Sequence, residues 1–219
     1  MSSDRTTVRR LPERARYDRE TIDAIIDAAF VCHVGFVDDE GRPVVIPTIH
    51  ARQGDRLHVH GAPASRMLRT VGTGVPICVT VTHVDGVVVA RAPFHMSLNY
   101  RSVVVFGEAE RLRDRDRKRE ALRVITEHVT PGRWDDSRRP TQAEIDATTV
   151  LSLPIAEASA KVRTGPPKDD EEDYALDLWA GVIPLDLVPG EPIPDPRLPE
   201  GVEFPPYLRA VGRSHAPEA

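Results

Sequence analysis

The fold is decided by the stretch Leu57-His58-Val59-His60-Gly61-Ala62-Pro63-Ala64-Ser65-Arg66-Met67-Leu68, in which a short strand ends at a glycine and a helix follows. Pro63 suits the first helical position, where its missing N–H is no loss, so Ala62 is the predicted N-cap. Ser65 and Arg66 then fall in the first turn, where backbone N–H groups, the helix dipole, a hydroxyl and a guanidinium converge. The stretch predicts a phosphate-binding turn; an ordinary strand-to-helix turn with a solvated arginine is the alternative.

Length and composition favour one core domain with terminal extensions. The chain has 219 residues, of which 40% are hydrophobic and 29% charged, as is usual for soluble proteins. The formal net charge of −5 argues against nucleic-acid binding, which is normally associated with a basic face. We predict a basic, solvated N-terminal arm over residues 1–17, a core domain over 18–187, and an extended proline-rich tail over 188–219.

Cysteine usage and hydropathy indicate a cytoplasmic protein with no membrane partner. Cys32 and Cys78 each lie in an apolar, strand-like run without a nearby second cysteine, so we predict buried, inert thiols in a reducing compartment. No apolar stretch approaches the ~18 residues that a membrane span needs, and the N-terminus lacks the apolar segment of a secretory signal.

The first half of the core domain reads as one helix followed by three strands. Asp18 is a predicted N-cap, and the apolar residues after it recur at helical spacing along one stripe. That stripe consists of Ile22, Ile25, Ile26 and Ala29. Runs rich in valine and isoleucine then predict strands over residues 30–37, 43–51 and 56–60, with turn residues between them.

The second half adds strands and two short helices. We predict strands over 75–83 and 87–92 joined by a turn at Asp85-Gly86, and further strands over 100–112, 150–155 and 178–187. Asp114 should begin one helix, and Thr141 with Glu144 forms a capping box for another. Six or more short strands with few helices favour an antiparallel barrel, which removes exposed sheet edges. The tail after Val188 either hangs free or wraps a partner subunit.

Three stretches in this order resemble a known family: residues 43–50, the motif His60-Gly61-x-x-x-Ser65-Arg66, and Tyr100-Arg101-Ser102-Val103-Val104-Val105-Phe106-Gly107. They are similar to the pyridoxamine 5′-phosphate oxidase-like FMN-binding split barrels, in particular to the nitroimidazole-resistance (Nim-type) branch, over roughly residues 18–187. The resemblance implies a mainly β fold with flanking helices, namely a six-stranded antiparallel split β-barrel. It also implies a homodimer with FMN at the subunit interface.

The resemblance carries site residues onto this chain. It implies that Ser65 and Arg66 hold the FMN phosphate and that His60 and Ser102 line the cofactor. The strand positions whose backbone would meet the isoalloxazine ring are Ile46, Pro47, Thr48 and Ile49. A flavin needs a phosphate clamp at one end and hydrogen-bond donors near the ring at the other, and these residue types can supply both.

Three further residues have a cofactor role beside a structural alternative. Arg101 and Ser102 should point to opposite faces of one strand, and Arg101 needs either the cofactor or another anionic partner. Lys161 could approach the flavin of the opposite subunit, or it could pair with the acidic residues 169–171. Trp179 could cover the flavin ring, or it could be a core or dimer-interface residue.

The histidines leave a haem alternative open. His58 and His60 share a strand face, but no recognised metal-ligand pattern accompanies them, so we predict no metal site. If the flavin is absent, His60 or His95 could be a haem ligand. No Ser-His-Asp order or nucleophile elbow is present, which argues against covalent hydrolysis.

The predicted function is an FMN-binding oxidoreductase that transfers electrons or hydride to a small organic substrate. The alternatives are a split barrel that binds the deazaflavin F420 or haem, and a flavin-binding protein without turnover. The proline-rich tail replaces the C-terminal tryptophan and arginine signature of true pyridoxamine-phosphate oxidases, so vitamin B6 oxidation is not expected.

Overall fold

The computed structural model describes residues 4–212, which form a mainly antiparallel β structure with short helices around it. The strands are β1 (Ala15–Arg16), β2 (Val31–Val37), β3 (Pro43–Gln53), β4 (Arg56–Gly61), β5 (Pro76–Val89), β6 (Ser97–Glu108), β7 (Glu110–Arg111), β8 (Thr149–Pro154), β9 (Glu157–Arg163) and β10 (Gly181–Pro184). The α-helices are α1 (Arg19–Asp27), α2 (Arg66–Val71), α3 (Arg115–Val129) and α4 (Gln142–Asp146). Short 3-10 helices cover Pro12–Arg14, Pro93–His95, Glu171–Ala175 and Pro206–Ala210.

The sheet changes partner part-way along β3. Strands follow the order β1-β9-β6-β5-β2-β3-β4-β8-β7, with β10 on the outer end of β5. Residues 43–49 of β3 pair with β2, whereas residues 50–53 pair with β4. One curved sheet thus divides into two arms that share β3, and this division is the split of the barrel. The predicted fold class, a mainly β split barrel with flanking helices, is confirmed.

The core lies between the two arms and is closed at one end by α1. The predicted apolar stripe of α1 is buried there, and Asp18 accepts a hydrogen bond from the N–H of Thr21 as the predicted N-cap. Asp114 caps α3, and Thr141 with Glu144 forms the predicted capping box of α4. Alternation along β2 places Cys32, Val34 and Phe36 inside, in the same core cluster as the apolar stripe of α1.

The predicted turn at Asp85-Gly86 needs correction. The described residues form ten strands, in agreement with the six or more expected, and two of the ten are only two residues long. β5 runs for 14 residues through a bulge between Val84 and Gly86. A Cβ on Gly86 would lie 3.0 Å from the carbonyl oxygen of Ile183. The glycine therefore lets β10 approach closely and does not reverse the chain.

Other boundaries also differ from the sequence prediction. α2 begins at Arg66 with Ser65 as N-cap, so the expectation of a helix from Pro63 with Ala62 as N-cap is wrong. The N–H of Ser65 bonds to the carbonyl oxygen of Ala62, which makes these residues a separate turn. The strand expected over 178–187 is limited to β10, and β9 was not predicted.

Both terminal extensions contact the rest of the chain. The arm expected to be solvated contributes β1, which pairs with β9, and Arg5 forms an ion pair with Glu157. Within the tail, the hydroxyl of Tyr207 donates a hydrogen bond to Asp136 at 2.6 Å. Gly132, with φ of +85°, lies against the Tyr207 ring. This part of the tail therefore docks on its own chain.

Cysteine burial agrees with the predicted inert thiols. Cys32 is buried, and burial raises the pKa of its thiol to about 12. Burial also raises the pKa of Cys78, which is half-buried. None of the helices within residues 4–212 has the length and apolar character needed to cross a bilayer.

Candidate functional site

The outer face of the sheet carries a row of residues from three adjacent strands. Pro47 of β3 lies opposite His33 of β2, which lies opposite Thr80 of β5. Because alternate residues of a strand point to opposite faces, His33 shares its face with Val31 and its side chain is exposed. This row crosses the middle of the sheet on the side away from the core.

The same outer face is apolar and uncovered. Its exposed large apolar side chains on β2 and β3 are Val31, Val37, Val45 and Ile49. Val45 alone is 63% exposed. Contiguous exposed apolar residues are uncommon on monomers and mark contact surfaces for ligands or other chains. We call this group, with Pro47 and His33, the outer apolar face.

The first half of β3 also offers unpaired backbone groups. Residues 43–49 pair with β2 along one edge, while pairing with β4 begins only at His50. Within the described chain, no strand therefore takes the other edge of residues 43–49, whose alternate N–H and C=O groups are free to bond a ligand. This free edge includes the stretch expected to meet a flavin ring.

The structure divides the predicted ring-contacting residues between two faces. Pro47 and Ile49 belong to the outer apolar face, whereas Ile46 packs toward the core. Thr48 shares the face of Ile46 by alternation, and its hydroxyl donates a hydrogen bond to the carbonyl oxygen of Ile49 at 3.4 Å. Side chains from this strand can thus contact only one side of a ligand, while its backbone edge is open to both.

Ser102 and Arg101 lie on opposite faces of β6, as the alternation predicted. Ser102 is paired across the sheet with Thr82 and Lys161 on the outer side, and its hydroxyl donates to the carbonyl oxygen of Lys161 at 3.4 Å. The guanidinium of Arg101 instead makes two hydrogen bonds to Asp85, at 2.8 and 3.0 Å. Asp85 is therefore the anionic partner that an arginine in an apolar strand requires.

The predicted phosphate turn has an unpaired cation in the structure, but the helix that follows it is shorter than expected. α2 has only six residues, and the Ser65 side chain makes no cap hydrogen bond. The side chain of Arg66 is exposed and makes no hydrogen bond or ion pair with any described residue. Any phosphate here would be held chiefly by the Arg66 guanidinium, which can bind two oxygens, with the Ser65 hydroxyl beside it.

His60 lies at the end of β4, close in sequence to this turn. Burial lowers the pKa of its imidazole, and Nδ1 is buried with no hydrogen-bond partner in the described structure. Burial likewise lowers the pKa of His58 to about 4, and Nε2 of His58 lies 3.3 Å from the Gln53 side-chain oxygen. The lowered pKa favours the neutral form of His60 at pH 7, and no described residue forms a hydrogen bond with its ring.

The structure excludes one of the roles considered for Lys161 and one of those considered for Trp179. The Lys161 ammonium donates a hydrogen bond to the carbonyl oxygen of Arg10 at 3.0 Å, so its expected pairing with residues 169–171 is wrong. In that acidic run, Asp169 instead accepts from Arg91. Trp179 is 66% exposed, which excludes a core position in the chain and leaves the ring-cover and interface roles open.

Two features of this region were missed by the sequence reasoning. The outward position of His33 follows from the alternation of β2, in which Cys32 and Val34 are core residues, so that signal was available. The group formed by His95, Asp170 and Asp173, which could hold a metal ion, could not be predicted in this way, because it joins residues far apart in sequence. Its three ligand atoms lie within 4.8 Å of one another on exposed or half-exposed side chains.

A family model described as pyridoxamine 5′-phosphate oxidase matches residues 18–162, which is most of the barrel. The chain belongs to this family. The match spans both arms of the split barrel and includes α1, the predicted phosphate turn and the free edge of β3. The resemblance inferred from the motifs is thereby confirmed, and so is the membership of a flavin-binding group of split barrels.

Among solved structures, two match nearly the whole family domain and its extensions. The flavocytochrome Anf3 from Azotobacter vinelandii is 47% identical, with a TM-score of 0.89, and the alignment covers 94% of this chain and 95% of that one. A FAD and heme binding protein from Mycobacterium smegmatis is 38% identical, with a TM-score of 0.87, over 90% of this chain and 97% of that one.

A third structure represents the Nim-type branch named by the motifs. This Bacteroides thetaiotaomicron protein, described in connection with 5-nitroimidazole antibiotic resistance, is 26% identical, with a TM-score of 0.58. The alignment covers 68% of this chain and 86% of that one. Among curated protein sequences, none matches this chain.

Proposed function

We propose that this protein is a flavocytochrome: an oxidoreductase that binds FAD and haem between two copies of the chain and passes electrons between them and a small organic substrate. The observation that carries the proposal is the similarity to two proteins described as a flavocytochrome and as FAD- and heme-binding, over nine tenths or more of this chain. When bound, a flavin supplies two-electron chemistry and a haem supplies one-electron chemistry.

The flavin end of the site has the groups that a dinucleotide or mononucleotide needs. Arg66 is a free cation for a phosphate, and the open edge of residues 43–49 offers backbone donors and acceptors to the polar rim of a ring. FMN could make both of these contacts as well as FAD could. We favour FAD because the relative that is 38% identical is described as binding it.

The hydrogen bonds of the histidine side chains limit which of them could ligate a haem iron. Of eight histidines, all but His215 lie in the described chain. Five of these have Nε2 engaged by a carbonyl or side-chain oxygen, namely His50, His58, His83, His95 and His128. His33 and His60 have no hydrogen bond within the described residues, so their rings fit axial ligation.

A second copy of the chain would cover the outer apolar face. Burying Val45, Ile49 and their neighbours against the same residues of a partner fits the isologous contacts of most homodimers. The partner would also exclude water from the free edge of β3, which strengthens hydrogen bonds to a ligand there. The absence of disulfides among the described residues is compatible with the expected cytoplasmic location.

The test begins with the full-length protein as purified and after incubation with haem and, separately, FAD, FMN or F420. We expect flavin and haem absorbance together, and chromatography of the released flavin distinguishes FAD from FMN. Arg66→Ala should weaken flavin binding at least about 10-fold, since a bidentate charged contact is lost. Arg69→Ala, which removes a second exposed arginine of the same helix, is the matched control.

Two results would contradict the proposal. A protein that takes up none of the flavins would exclude a flavoprotein, and one that takes up flavin but shows no haem spectrum would exclude a flavocytochrome. Electron transfer is tested by anaerobic reduction of the flavin, followed by stopped-flow measurement of haem reduction. A loaded protein whose haem stays oxidised would be a binding protein without the proposed turnover.

A further inference from the structure

The C-terminal end of α1 is surrounded by histidine side chains from three other elements. In each case Nε2 of the ring lies within hydrogen-bond distance of a backbone carbonyl oxygen in or just after the last turn of the helix. The contacts are His83 of β5 to Ile25 at 3.0 Å, His50 of β3 to Ile26 at 3.0 Å, and His128 of α3 to Ala29 at 2.7 Å. We call these three side chains the imidazole collar.

The collar supplies side-chain donors to carbonyl oxygens at the end of the helix, of which that of Ile26 also accepts from the N–H of Ala29 at 3.3 Å. The last carbonyl oxygens of an α-helix have no intrahelical donor, so a buried helix end needs side chains to supply them. A carbonyl oxygen only accepts, so each ring must donate from Nε2–H. In a neutral ring this leaves Nδ1 without a proton.

His50 is the member of the collar that cannot easily gain a proton. The residue is fully buried, and its Nδ1 has no hydrogen-bond partner within residues 4–212. A proton on Nδ1 would create both a buried charge and an unsatisfied donor, each of which is unfavourable away from water.

We propose that the imidazole collar is a pH-sensitive closure of the barrel end, which holds α1 in place while His50 is neutral and releases it when His50 is protonated. The charged groups around His50 support this direction. His128 lies with its ring centroid 5.5 Å away, and coulombic interactions with His128 and His83 lower the pKa of His50. Asp27 of α1 opposes this effect, but its carboxylate is paired with Arg52.

The sign and size of the effect follow from linkage. Burial lowers the pKa of His50 from 6.5 to about 4 in the folded protein. The folded state therefore binds this proton less readily than the unfolded chain, so the stabilisation is complete above pH 6.5 and decreases as pH falls toward 4. Between pH 7.5 and 5, His50 alone should reduce the folding equilibrium constant about 30-fold.

Release of α1 would alter a pocket at the same end of the barrel. The pocket holds about 320 Å³ and is bordered by Ala28, directly after α1, and by His83 of the collar. Arg101, Leu185 and Leu187 form other parts of its wall. Acidification should thus loosen the helix and one side of this pocket together.

The first test compares the full-length protein with His50→Gln. A glutamine amide can donate to the Ile26 carbonyl oxygen but does not titrate. Urea unfolding is measured at pH 7.5 and at pH 5. Between these two pH values, the folding equilibrium constant should decrease by a factor about 30 times larger in the wild type than in the variant. Hydrogen exchange should show faster opening of residues 25–30 at pH 5, after correction for intrinsic rates, in the wild type only.

His95→Gln is the matched control, because His95 lies outside the collar and its ring pairs with Asp170. This variant should show the same dependence of folding stability on pH as the wild type. An equal pH dependence in wild type and His50→Gln would overturn the proposal. If His50→Gln does not fold, NMR of the wild-type imidazoles decides: a proton on Nε2 and titration below pH 5 support the collar, whereas titration near pH 6.5 refutes it.

Discussion

The two halves of β3 differ in what covers them, although they belong to one continuous strand. Residues 43–49 pair with β2, leave their other edge free and expose Val45 and Ile49. Residues 50–53 pair with β4 and lie where α1 and α3 both pack on the strand, so that Ala51 is fully buried. One half is thus available for binding, while the other half anchors the helices.

The largest expected effect comes from placing a charge in the covered half. Ala51→Asp would bury a carboxylate without a partner, which should lower the free energy of unfolding by at least about 3 kcal/mol. Val45→Asp, on the same face of the same strand, should change it by no more than about 0.5 kcal/mol in the monomer. Urea unfolding at a protein concentration low enough for the wild type to be monomeric measures both, and equal losses would show that the two halves do not differ.

A substitution in the uncovered half of β3 should instead affect self-association of the protein. Val45→Asp places two carboxylates in the proposed dimer contact, where they would be desolvated near each other. Light scattering after size exclusion should therefore show a dimer for the wild type and a monomer for the variant. Val45→Thr keeps the side-chain shape and should remain dimeric at high concentration. A dimeric Val45→Asp would remove the outer apolar face from the proposed interface.

The smallest expected effect concerns the ion pairs that tie β3 to α1. Arg52 is engaged by Asp27 and also lies 3.2 Å from Asp23, with its side chain only partly exposed. Arg52→Met should lower the free energy of unfolding by about 1 kcal/mol at low salt, because partly exposed pairs are screened by solvent. The difference from the wild type should shrink in 1 M salt. A loss that does not depend on salt would assign the effect to packing.

Much of the secondary structure could be predicted because its causes are local. The N-caps Asp18 and Asp114 and the capping box at Thr141 act over a few residues, and the structure has all three. Asp85-Gly86 has the composition of a turn, but pairing with β6 on one side and β10 on the other keeps β5 extended. Such long-range pairing leaves no local trace in the sequence.

The sequence predicted which residues belong to the candidate site better than it predicted how they are arranged. The motifs identified Arg66 and the strand containing Pro47, and the structure leaves both open to a ligand. They did not indicate that α2 is too short to contribute a strong dipole, nor that Arg101 is bound to Asp85. The second finding depends on a cross-strand contact made possible by the bulge in β5.

The sequence by itself determined the alternating strands, the helix starts and the family, because side-chain periodicity and capping depend on neighbouring residues. Only the tertiary structure decided that β3 changes partner at His50, that residues 43–49 keep a free edge, and that three histidines meet the end of α1. These features arise from contacts between residues far apart in the chain, whose geometry is fixed only when the sheet curves and the helices pack.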